Sequence, residues 1–211
     1  MTQNGRRVEA AELALRDSMR RGIEPNATMY AGLIKARQRA GRHPRESIGA
    51  LNRLEVEDGV TPNRVVYTAA MVHHLRHGLA DDCLDLFHRM LIRGITADAV
   101  SYTVLMQACA ASDSLEHAST LFSDMDAEKI EPTRATYNAF LNACAARAHS
   151  LATLPRARKS HLRKLMVNVS PLEPLKLAHR QLGAMAERGF APDAATYMGL
   201  LRTHSAIGDA A

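Results

Sequence analysis

The chain has 211 residues, of which 46% are hydrophobic and only 4% aromatic, and it carries a formal charge of +5. No apolar run approaches the ~18 residues that a membrane-crossing helix needs. Its three cysteines are an odd set without metal-ligand spacing, so neither a disulfide framework nor a zinc site is indicated. Cys109 and Cys144 lie 35 residues apart and read as small buried apolar side chains.

In chain order, the five tyrosines set the plan. Tyr30, Tyr67, Tyr102, Tyr137 and Tyr197 are spaced by 37, 35, 35 and 60 residues. Each follows a corner, as in Gly94-Ile95-Thr96-Ala97-Asp98 before Tyr102 and Gly189-Phe190-Ala191-Pro192-Asp193 before Tyr197. A fixed period of this size marks a helical repeat array. Each repeat reads as helix A, a tight turn, helix B and a corner. Residues 1–26 supply a helix B alone, with Val8, Ala11, Leu15 and Met19 on its apolar face. Repeat 1 (27–63) turns at Gly41-Arg42-His43-Pro44, and its imperfect helix B runs into Glu55-Val56-Glu57-Asp58. Repeats 2 (64–98) and 3 (99–133) have 35 residues each; in repeat 3, Leu115, Ala118, Leu121, Phe122 and Met125 form the helix B stripe.

Repeat 4 (134–193) is 25 residues longer. Its helix A is expected to run through Ala146, and its helix B to resume near Leu175. Between them lies an insertion, about 148–174. There Pro155 can begin a short helix and Pro171 and Pro174 would end it. Residues 194–211 give a partial repeat, a helix A after which Ile207-Gly208 opens the next helix B. Both ends cut a repeat in half, so the expectation is a piece of a longer array or ends covered by partners. Glu9, Glu12 and Asp17 make residues 1–20 unlike a transit peptide, and no targeting segment is visible.

The segments Ala135-Thr136-Tyr137-Asn138-Ala139-Phe140-Leu141 and Ala118-Ser119-Thr120-Leu121-Phe122-Ser123-Asp124-Met125 resemble the pentatricopeptide repeat, a helical hairpin of about 35 residues. The resemblance covers nearly the whole chain. It implies an all-α fold, a right-handed α-solenoid of stacked antiparallel helix pairs, with four to five repeats. It also implies a modular reader of single-stranded RNA, in which two side chains per repeat select one base. By position those pairs are Ala31 with Asn63, Thr68 with Asp98, Thr103 with Thr133, and Asn138 with Asp193. The resemblance implies guanine for Thr68/Asp98 and uracil for Asn138/Asp193; the other two pairs depart from the family's usual ones. Val65 and Val100 would flank bases, and Arg39 and Arg76 would touch phosphate, whereas Ala111 and Ala146 stand at that place in repeats 3 and 4. The implied location is the mitochondrion or chloroplast.

Charge divides the chain. Residues 1–53 hold eleven Lys and Arg against five Asp and Glu, residues 54–131 hold five against thirteen, and residues 132–172 hold seven against none. Phosphate neutralisation carries most RNA affinity, so Arg156, Arg158, Lys159, Arg163 and Lys164 of the insertion are the electrostatic candidates. The acidic middle favours the alternative function, an architectural subunit of an organellar ribonucleoprotein such as a mitochondrial ribosome. There the repeats would contact proteins and the insertion structured RNA. His73 and His77 have i, i+4 spacing but no His-Glu-x-x-His context, and no phosphate loop or nucleophile motif occurs. The expectation is a non-enzymatic protein without cofactor, metal, membrane or small-molecule substrate, whose partners are RNA and other proteins.

Overall fold

A computed structural model describes residues 3–56, 59–153 and 172–208. The described residues form ten α-helices and no strand: α1 (Gln3–Arg20), α2 (Ala27–Arg39), α3 (Arg45–Val56), α4 (Arg64–Arg76), α5 (Ala80–Ile92), α6 (Ala99–Ala111), α7 (Leu115–Ala127), α8 (Arg134–Thr153), α9 (Glu173–Glu187) and α10 (Ala194–Gly208). The fold is an all-α repeat. The chain divides into two compact units, Met1–Ala97 and Asp98–Ala211.

In the first unit α2 packs on α1, α3 and α4, and α4 packs on α3 and α5. In the second, α8 is central and touches α6, α7, α9 and α10. The A helices are therefore enclosed on several sides. In α6 every residue from Ser101 to Met106 is buried, together with Ala108 and Cys109, a wider burial than the single face expected from the sequence. The B helices bury one stripe only: Cys83, Leu86, Phe87 and Met90 in α5, and Ala118, Leu121, Phe122 and Met125 in α7.

Tyr30, Tyr67, Tyr102 and Tyr137 are fully buried, whereas Tyr197 is half exposed. Burial pushes the Tyr67 phenol up to about 12, helped by its hydrogen bond to Glu55. Burial also raises the thiols of Cys83, Cys109 and Cys144 to about 12, 11 and 12, so they remain protonated packing groups.

Three of the corners close in the same way. Ile95 N–H donates to Met90 carbonyl at 3.1 Å, Ile130 to Met125 at 2.8 Å and Phe190 to Met185 at 3.0 Å. This six-residue closure needs a left-handed residue. Gly94 and Gly189 supply it at φ 71° and 80°, and Lys129 is forced into it at φ 56°. Gly199 serves a different purpose. A Cβ there would meet Leu141 Cβ at 3.0 Å, so its absence allows α10 to approach α8 closely.

The structure corrects three boundaries. Helix α8 continues to Thr153, seven residues past Ala146, with Ala148 and Leu151 buried. Pro174 occupies the first turn of α9, where a missing N–H costs nothing. Ile207 and Gly208 continue α10 rather than opening another helix.

Candidate nucleic-acid interface

The last residue of each repeat starts the next helix. Asn26 accepts from Met29 N–H at 3.0 Å, Asn63 from Val66 at 3.1 Å, Asp98 from Ser101 at 2.9 Å, Thr133 from Thr136 at 3.3 Å and Asp193 from Thr196 at 2.9 Å. These are N-caps, which explains the Asn, Asp and Thr at this place without any ligand. Alanine at Asp98 is therefore expected to cost about 1 kcal/mol of stability in the absence of RNA. Urea unfolding checks this, and an unchanged midpoint would remove the capping role.

The second unit brings two of the expected pairs together. Asn138 Nδ2 donates to Asp193 Oδ1 at 3.2 Å, and the Thr196 hydroxyl lies 2.7 Å from Asn138 Oδ1 and 2.9 Å from Asp193 Oδ1. The Thr196 N–H and then its hydroxyl, with the Asn138 amide, hold the Asp193 carboxyl below its usual range. Asp193 stays ionised and fixes the Asn138 amide, which is half-buried and keeps one N–H for a further acceptor.

Thr103 and Thr133 are joined through Thr136, whose Oγ1 is 2.8 Å from Thr103 Oγ1 and 3.0 Å from Thr133 Oγ1. Thr103 is 8% exposed and its hydroxyl donates to Ala99 carbonyl at 2.6 Å. Its hydrogen-bonding capacity is already largely used within the protein.

In the first unit, Ala31 is buried and offers no polar side-chain atom, while Asn63 is half-buried at its cap. Thr68 is half-buried in α4, and Asp98 caps α6 in the second unit. Val65 and Val100 are 49% and 58% exposed, as contact with bases would require. Arg39 and Arg76 are exposed last residues of α2 and α4. Arg156, Arg158, Lys159, Arg163 and Lys164 lie outside the described residues.

Sequence reasoning missed two kinds of residue. Ser101, Thr136 and Thr196 are fully buried and tie each cap to its helix. Gln107, Asn142 and Arg202, each five positions after a repeat tyrosine, are exposed on the A helices one turn beyond the expected base readers. Conversely, some basic charge serves internal pairing: Arg147 meets Asp113 at 3.4 Å and Glu116 at 3.2 Å, and Arg188 meets Asp126 at 2.9 Å. Among the described residues, no group of three or more His, Cys, Asp or Glu is arranged to hold a metal ion, and no helix is long and apolar enough to cross a membrane.

Helical hairpins with a repeated tyrosine and a capping residue before every A helix define an α-helical repeat protein. A family profile described as "Pentatricopeptide repeat domain" matches residues 13–73 and 85–147, and a "PPR repeat" profile matches 65–95. The chain belongs to the pentatricopeptide repeat family. A chloroplastic pentatricopeptide repeat-containing protein of Arabidopsis thaliana is 26% identical, over 92% of this chain and 27% of its own length. The mitochondrial pentatricopeptide repeat-containing protein 1 of Rattus norvegicus is 37% identical over 34% of this chain and 11% of its own length. The chain thus spans about a quarter or less of these two relatives. Among solved structures, PPR10 in complex with an 18-nucleotide psaJ RNA element superposes with TM-score 0.66 at 20% identity, over 97% of this chain and 26% of that one. The PPR domain of Arabidopsis thaliana protein-only RNase P 1 in complex with tRNA gives TM-score 0.64 at 13% identity, over 94% and 90%.

Proposed function

We propose that the chain binds single-stranded RNA along the faces of its A helices, without catalysis, in a mitochondrion or chloroplast. The observation that carries this reading is the Asn138–Thr196–Asp193 network. It holds an amide rigidly, with a donor left over, at the place where related repeats select a base. The organelle follows from the relatives' names, and RNA from the family and from the solved complexes.

One observation favours the alternative, an architectural role in an organellar ribonucleoprotein: Ala31 has no polar group to offer and the Thr103 hydroxyl is occupied internally. Two readable bases would specify little.

Substituting Asn138→Thr makes the fourth pair resemble Thr68/Asp98. The expected outcome is a shift of about tenfold from uracil toward guanine at one RNA position, the scale of a single base contact. Fluorescence anisotropy with an oligonucleotide set varied at each position reads it. Equal affinity of both proteins for every RNA would argue against base reading and for the architectural role.

A further inference from the structure

Nine residues after each repeat tyrosine, the first unit carries Arg39 and Arg76, but the second carries Ala111, Ala146 and Ala206. The small side chains leave a groove of about 550 Å³ across α6, α8 and α10, within the ~300–1,000 Å³ range of small-ligand sites. The three alanines are among the residues that line it, and Asn142, His149, Arg202 and Ser205 supply its polar groups. No carboxylate lines it. Arg202 is exposed and forms no ion pair among the described residues, in contrast to Arg147 on α8, which faces Asp113 and Glu116.

We infer that this groove seats one nucleotide of a single-stranded RNA. Its phosphate lies on Arg202 and Asn142, and its ring lies against the lining alanines beside His149. The inference rests on the RNA-binding reading above. Register supports it: Asn142 follows Asn138 by four residues, about 6 Å along the same helix face, so a strand whose base meets the Asn138/Asp193 pair has its backbone beside the groove. Arg202 occupies the same register on α10 as Asn142 on α8. A guanidinium offers paired donors to phosphate, and an imidazole offers a stacking face to a base. The second unit thus replaces the arginines of the first with a hollow and a cation one turn earlier in the helix.

The test uses the full chain, a fluorescein-labelled ten-nucleotide RNA and its single-base variants, and anisotropy over a range of salt concentrations. Arg202→Ala is expected to weaken all RNAs alike, by roughly three- to tenfold, and to reduce the salt slope by about 1. Ser205→Leu fills the groove from an exposed lining position and is expected to weaken binding with the salt slope unchanged. Thermal midpoints equal to wild type establish that both variants are folded. Wild-type affinity in both variants, while Asn138→Thr still shifts base preference, would overturn the groove and leave the RNA reading intact. A loss in Arg202→Ala alone would make Arg202 a surface counter-charge and likewise overturn the groove. No binding by the wild-type chain would overturn the RNA reading, and this inference with it.

Discussion

Replacing Glu55 by alanine is expected to destabilise the first unit by about 3 kcal/mol, at the low end for breaking a buried ion pair. The Glu55 side chain is 3% exposed and meets Arg89 and Arg93, each at 2.6 Å. It also accepts from the Tyr67 hydroxyl at 2.8 Å. One carboxylate thus joins α3, α4 and α5. Its removal strands the buried Tyr67 hydroxyl and takes the carboxylate from two guanidiniums, of which Arg89 keeps a hydrogen bond to Asn52 Oδ1 at 2.8 Å. The arginine side chains are 31% and 47% exposed, so water compensates part of the loss and the upper end of the range is not reached. Glu55→Gln is expected to cost less, because an amide can still accept from Tyr67. Urea unfolding followed by hydrogen exchange in α3–α5 reads the effect. A loss below 1 kcal/mol for Glu55→Ala would mean that helix packing alone holds these elements.

Mild acid is expected to weaken the same unit. The His73 ring is fully buried. One ring nitrogen lies against the Ser47 hydroxyl and the other, Nε2, donates to the Arg42 carbonyl at 2.8 Å. Burial lowers its pKa below the ordinary value near 6.5. The Arg42 bond opposes this in part, His77 and His74 add to it, and Glu46 acts against it. Below about 6.5 the unfolded chain takes up a proton that the folded one resists, so this contribution is complete above that pH and is lost as pH falls. The slope is at most about 1.4 kcal/mol per pH unit for one proton. Unfolding midpoints measured between pH 7.5 and 5.5 should fall, and His73→Gln should flatten the fall. An equal fall in that variant would assign the acid sensitivity to other groups.

The repeat was legible in the sequence because its signals are local and recur: a tyrosine on each A helix, a corner before it, an apolar stripe on each B helix. The Glu55 cluster was not, because its partners lie 34 and 38 residues away. In the sequence Glu55 reads as the start of an acidic tail to an irregular helix. The length of α8 was hidden for the opposite reason. Residues 143–152 are rich in alanine and contain neither glycine nor proline, so nothing local ends the helix, while the extra length of the repeat points to a loop. The candidate interface was half legible. Position in the repeat identifies Asn138 and Asp193, but the hydroxyls of Thr136 and Thr196 that organise the pairs, and the groove beside Arg202, depend on contacts between successive helices.

The capping duty limits which residues can stand before each A helix. The side chain at Asn63, Asp98, Thr133 or Asp193 already commits an oxygen to a helix N–H, and few residue types do that well. Substitution at this position therefore draws on a small set of residues, and one outside it loosens the helix that follows. The position just after the tyrosine caps no helix but has commitments of its own: Ala31 is buried, the Thr103 hydroxyl donates to Ala99 carbonyl, and the Asn138 amide is bonded to Asp193.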